Sequence, residues 1–157
     1  MKIWAKIWAK IWANKTEKNM AKITEGELAE IAAASIPWVS DLGLEIEAIG
    51  EGTCRARLPF GPRKVRPGGT VAGPMLVALA SYAAYAAVLS AAGRVELAAV
   101  ISQSATFFAG TKGDVVAEAR ILHRGRRLVA TETRLLAVDA AATPLAQVTA
   151  TYALPPS

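Results

Sequence analysis

Arg66-Pro-Gly-Gly-Thr-Val-Ala-Gly-Pro-Met-Leu-Val-Ala-Leu-Ala-Ser-Tyr-Ala-Ala-Tyr85 is a glycine-rich turn that runs without interruption into an apolar helix. Two adjacent glycines suit a chain reversal, and a proline is tolerated in the first helical turn, where its missing N–H leaves no bond unmade. From Ala72 to about Ala92 no residue is charged, and Gly93 supplies the stop. A helix this apolar on most sides has to be wrapped by other elements. Its many Ala and Ser side chains let a sheet come close to the backbone.

The flanking sequence supplies the wrapping. Thr24 with Glu27 is a capping-box pattern, and Leu28, Ile31 and Ala32 continue it as a short amphipathic helix ending before Pro37. Leu44, Ile46 and Ala48 alternate with Glu45 and Glu47, and 54–58 alternates Cys54, Ala56 and Leu58 with Arg55 and Arg57, so a hairpin with one buried face is expected around Gly50-Glu-Gly52. Residues 59–69 read as an exposed connection rich in Pro, Gly and Arg. After the helix come four strand-like runs at 97–109, 114–124, 128–138 and 145–154, with separators short enough for antiparallel neighbours. The order is helix, two strands, one long helix, four strands, which is the α+β class.

The chain has 157 residues, 53% of them hydrophobic and 20% charged, which suits one folded domain and argues against intrinsic disorder. The formal net charge is +5, but five lysines against one glutamate in residues 1–19 account for +4 of it. The remainder is nearly neutral and carries no basic stripe interleaved with aromatics, so nucleic acid is not an expected partner. The single cysteine, Cys54, lies in an alternating run and is expected to be a buried structural thiol. Nothing in the pattern suggests a metal site, and a reducing, cytoplasmic setting is the default.

Residues 1–19 stand apart from the domain expected over 20–157. Three copies of Lys-Ile-Trp-Ala precede a polar stretch and Met20, which reads like a second translation start. As a helix the repeat puts Ile and Trp on one half of the surface and Lys with Ala on the other, an arrangement fit for a membrane surface or self-association through residues 2–13. As a strand it puts Lys and Trp together on one face. Propensity leaves both open. The segment is too short and too regularly charged to span a bilayer. It reads as an appended or engineered tag, against the alternatives of a natural targeting element or a disordered tail.

The 66–85 stretch resembles the active-site segment of hotdog-fold acyl-CoA thioesterases of the phenylacetate-pathway type. The resemblance runs from about Leu42 to Pro155, and the 115–127 run ending in Gly125-Arg-Arg127 is similar to the family's strand and turn. It implies a curved antiparallel sheet of about six strands wrapped round the central helix. It also implies a homodimer or homotetramer paired through its sheets, with each active site drawing on two subunits. The ligand implied is a small-molecule acyl thioester, with coenzyme A as part of the substrate and no separate cofactor.

Thioester hydrolysis needs a polarised carbonyl and an activated water or nucleophile. The free N–H groups at a helix start can hold an oxyanion, and the resemblance assigns that role to Gly73 N–H. Matched to the family motif, the catalytic acid position is Ser81, the loop's usual polar residue is Ala72, and a frequent Asn is Arg66. Thr70 lies in the same substrate-binding loop. Ser81 stands eight residues beyond Gly73, a little over two turns, and is expected on nearly the same face. Serine cannot take a proton at neutral pH as a carboxylate does, and the only histidine, His123, is expected on a distant strand end where a surface role suits it. Arg126 and Arg127, with Arg124, are the resemblance's candidates for gripping coenzyme A phosphates, against a solvated basic hairpin. Tyr82 and Tyr85 are expected in the core or at a dimer contact. Three function classes follow: a thioester hydrolase with weak or lost activity, a binding module without turnover, and an engineered scaffold displaying the N-terminal segment multivalently.

Overall fold

A computed structural model describes residues 20–140 and 143–156, together with Ile3, Lys6, Ala9 and Lys10. Those last four are helical and exposed; the columns of Trp expected in the repeat lie outside the described residues. The elements are α1 (Glu25–Ser35), α2 (Pro37–Asp41), β1 (Glu45–Gly50), β2 (Thr53–Leu58), a one-turn 3-10 helix (Pro62–Lys64), α3 (Gly73–Ala92), β3 (Ala99–Phe107), β4 (Val115–Arg124), β5 (Leu128–Ala137) and β6 (Pro144–Ala153). One six-stranded antiparallel sheet runs β1-β2-β4-β5-β6-β3. It curves round α3, which is the hotdog architecture that the resemblance implied.

The capping box of α1 forms as expected: Thr24 Oγ1 accepts from Glu27 N at 3.1 Å, and Glu27 Oε2 accepts from Thr24 N at 2.8 Å. The backbone bond to Glu27, with the Thr24 hydroxyl second, holds its carboxyl below the ordinary value. Pro37 ends α1 but does not end helicity, because as the first residue of α2 it loses no hydrogen bond.

The inner face of the sheet is small where α3 approaches. Cys54, Ala56, Ala117 and Ala119 are fully buried, as are Ala80, Ala83, Ala86 and Ala87 on the helix. Burial pushes the Cys54 thiol well above its ordinary pKa, so it is an inert core group, as expected. Ser90, also fully buried, donates to Ala87 O at 2.7 Å and accepts from Gly52 N at 2.8 Å, which ties the β1–β2 turn to the end of α3. The α3 helix is long and apolar enough to cross a bilayer, but it is the wrapped core helix here.

The outer face carries the charge. Arg55 bridges Glu47 and Glu118, Arg57 bridges Glu47 and Asp114, and Arg120 pairs with Glu132 at 2.8 Å. Glu118 is only 6% exposed, and its burial outweighs the neighbouring Arg55 and Arg134, raising its pKa.

Strand β3 departs from this pattern. It pairs only with β6, every residue but Ala105 is exposed, and Leu97, Val100, Ile101, Phe107 and Phe108 leave large apolar surface in water. An apolar, unpaired edge of this length is a template for another strand.

Candidate active site

The α3 helix starts at Gly73, with Ala72 in extended geometry at its N-cap and no side-chain cap. Pro74 has no N–H, and Met75 and Leu76 both donate to Ala72 O, at 3.0 and 3.2 Å. Gly73 N–H is thus the donor left at the positive end of a 20-residue helix. Gly68 and Gly69 shape the preceding turn with φ of 99° and 82°, conformations that a side chain would strain. That turn is clasped to the β3–β4 connection by Val71 N donating to Thr111 O at 2.9 Å.

Arg66, Thr70 and Gly73 line one cavity of about 490 Å³, shared with Leu76, Phe107 and Phe108. A Cβ on Gly73 would lie 3.4 Å from Phe107 Cζ, so the Phe107 ring stands directly against the helix start. The motif gave no sign of this contact. Phe107 is three residues beyond Ser104, in a run whose alternation only the strand pairing turns into a direction.

Ser81 does not join them, which corrects the expectation of a shared face. Eight helical residues amount to 800°, leaving about 80° of rotation and about 12 Å of rise between the two positions. Ser81 lines a second cavity of about 330 Å³ with Trp38, Tyr82, Tyr85, Val100 and Tyr152. Its Oγ accepts from Gln103 Nε2 at 2.8 Å, and its carbonyl accepts from Tyr152 OH at 3.0 Å. Trp38 stands edge-on to Tyr82, with ring centres 6.5 Å apart. Burial pushes the Tyr82 hydroxyl up to about 12 and raises those of Tyr85 and Tyr152, so none is a base near neutrality. Among the described residues, the only carboxylate on this cavity is Glu96, which is exposed and bonded to Arg94 at 2.6 Å. Among the described residues lining this cavity, none is a base placed to activate Ser81 as a nucleophile.

The two cavities sit at opposite ends of β3. The Ser81 cavity meets Glu96, Leu97, Ala98 and Val100 where the strand begins; the Gly73 cavity meets Phe107 to Gly110 where it ends. Gln103 is the middle residue of the strand.

Arg126 and Arg127 line neither cavity. They are exposed on the β4–β5 turn, whose Arg127 carbonyl accepts from Leu154 N at 2.7 Å and whose neighbour Arg124 donates to Ala91 O at 2.8 Å. That is the C-terminal end of α3, the far end from Gly73. His123 is exposed near the same turn, outside both cavities. Among the described residues no group of His, Cys, Asp and Glu could hold a metal.

Comparison with known proteins agrees with this architecture. Residues 68–141 match the family model described as the thioesterase superfamily. A solved putative thioesterase from Silicibacter sp. TM1040 is 32% identical, with a TM-score of 0.77 over 87% of this chain and 94% of that one. A thioesterase from Haemophilus influenzae superposes with a TM-score of 0.76 at 22% identity, over 87% of this chain and 94% of that one. The PaaI protein of the E. coli phenylacetic acid degradation operon superposes at 0.73 with 15% identity, over 85% of this chain and 96% of that one. A search of curated proteins found no match. A helix wrapped by six antiparallel strands, a glycine turn at its start and this likeness to the Silicibacter protein over nearly its whole length establish that the chain belongs to the thioesterase superfamily.

Proposed function

We propose that the protein binds small acyl thioesters in a site completed by two copies of the chain, with hydrolysis weak or lost. The observation that carries this reading is the placement of two cavities at the two ends of one exposed edge strand whose outer side is free. If β3 pairs antiparallel with β3 of a second copy about a two-fold axis near Gln103, the start of one strand faces the end of the other. The Ser81 cavity of one protomer then adjoins the Gly73 cavity of its partner, and the distance between the two positions on one helix ceases to matter. The acyl group would lie among Trp38, Tyr82, Tyr85 and Tyr152, and the thioester carbonyl would meet Gly73 N–H of the other copy. The Phe107 and Phe108 rings would be covered at the same time.

Turnover is the step the residues support least. Ser81 offers a hydroxyl already engaged by Gln103 and no base beside it. Two measurements test the reading. Sedimentation should give at least a dimer after removal of residues 1–19, and calorimetry should detect binding of hexanoyl-N-acetylcysteamine, with thiol release close to the uncatalysed rate. A monomer that binds no thioester would overturn it.

A further inference from the structure

The Lys-Ile-Trp-Ala repeat at residues 2–13 has no role in either cavity, and its described residues, Ile3, Lys6, Ala9 and Lys10, are helical and exposed. Ile3 leaves 69% of its surface in water, so an apolar side chain of the repeat is free to meet a partner. A four-residue repeat advances a helix by about 400°, so each column of the pattern turns by about 40° per copy. Over three copies the Ile and Trp columns fan out over about half of the helix surface, and Lys with Ala fills the other half. That width bears on the partner. A second helix is met along a narrow seam kept by a repeat of about 3.5 residues, and a four-residue repeat drifts off such a seam. A broad apolar face fits a flat apolar layer instead.

We propose that residues 2–13 form an in-plane anchor that holds the protein to an anionic lipid surface. Charge selects the sign of that surface. Residues 1–19 carry +4 of the chain's formal net charge of +5, and Lys2, Lys6 and Lys10 fall within one helical arc of about 80°. Anionic headgroups attract such an arc, whereas a second copy of the segment repels it. Residue type agrees, because tryptophan settles where acyl chains meet headgroups, with its ring in the apolar layer and its N–H toward water. Three of the chain's four tryptophans stand in the repeat. Length sets the orientation: twelve residues make a helix of about 18 Å, well short of the roughly 30 Å hydrocarbon core, so the segment lies in the interface and does not cross it. The anchor draws on no residue around Gly73 or Ser81 and stands apart from the thioester reading.

The test mixes the full chain with vesicles of phosphatidylglycerol in phosphatidylcholine, and with vesicles of phosphatidylcholine alone. Flotation should carry the protein with the anionic vesicles far more than with the neutral ones, and the bound fraction should fall as salt rises. On binding, tryptophan emission should move to shorter wavelength. Far-ultraviolet dichroism should show added helix, because a helix of twelve residues is marginal in water. Lys2→Gln with Lys6→Gln and Lys10→Gln should lower the partition constant by about a hundredfold, since each lysine near an anionic surface is worth roughly fivefold. Trp4→Ala with Trp8→Ala and Trp12→Ala should remove most of the binding, and the remaining Trp38 emission should not move. A parent chain that stays out of the anionic vesicle fraction refutes the proposal, as does a lysine variant that binds undiminished. A tryptophan variant that floats as well as the parent would put the contact on the exposed edge of β3 and overturn it. If the chain ignores vesicles and its sedimentation coefficient falls on the tryptophan substitutions, the face joins copies of the chain, and the anchor is likewise refuted.

Discussion

Replacing Ser81 with Asp should raise thioester hydrolysis, and the surroundings of Ser81 set the size of the gain. The position is half-buried, faces a cavity walled by three tyrosines, and already receives one amide hydrogen bond from Gln103 Nε2 at 2.8 Å. An aspartate reaches one bond further than serine, so its carboxylate can keep that donor while presenting a second oxygen to the cavity. The amide bond favours the ionised form and partial burial disfavours it, which leaves the group ionised at neutral pH. A positioned base typically contributes 10²- to 10⁴-fold, about 2.7–5.4 kcal/mol of barrier at 1.36 kcal/mol per tenfold. The assay is thiol release from hexanoyl-coenzyme A by Ser81→Asp, Ser81→Asn and the parent chain, with residues 1–19 removed. Because the base works in its ionised form, the rate should climb as pH rises through the ordinary carboxylate range near 4 and then level off. The Asn variant should show neither the gain nor that profile. A Ser81→Asp protein that folds, dimerises, binds the ester and still hydrolyses no faster would refute the reasoning, as would an equal gain from Asn.

Thr133 is fully buried on the inner face of β5, and its hydroxyl has no hydrogen-bond partner. Thr133→Val keeps the shape and removes the orphaned group, so denaturant unfolding should show a gain of about 1–2 kcal/mol. Glu118 has a folded pKa raised by burial, so the folded state holds its proton over a pH window where the unfolded chain has lost it, and stability falls as pH rises through that window. Glu118→Gln should therefore raise the melting temperature at pH 7, with the advantage shrinking toward pH 4; a constant difference across that range would count against it. Ile101, 58% exposed on the free edge, would meet its own symmetry-related neighbourhood in the proposed dimer, so Ile101→Asp should shift sedimentation toward monomer while the melting profile in far-ultraviolet dichroism remains cooperative.

The sequence by itself determined α1, α3 and the six strands, but not the short α2 or the 3-10 turn at Pro62–Lys64. An uncharged run of Ala, Leu and Tyr ending at Gly93 reads as a helix that other elements must cover, the resemblance supplied the sheet that wraps it, and alternation in 54–58 set Cys54, Ala56 and Leu58 opposite Arg55 and Arg57 before any neighbour was known. The glycine turn at 68–69 was legible because positive φ leaves a residue-type signature. Only the tertiary structure decided that β3 lies at the edge beside β6, that Gln103 reaches Ser81, that Phe107 covers the helix start, and that Ser81 and Gly73 open into different cavities. The reason is that periodicity specifies a residue's angle about its own strand or helix and carries no information on which distant element occupies that direction. A spacing of eight looked like one face on two helical turns, yet the remaining 80° of rotation and about 12 Å of rise were enough to put a different wall opposite each residue.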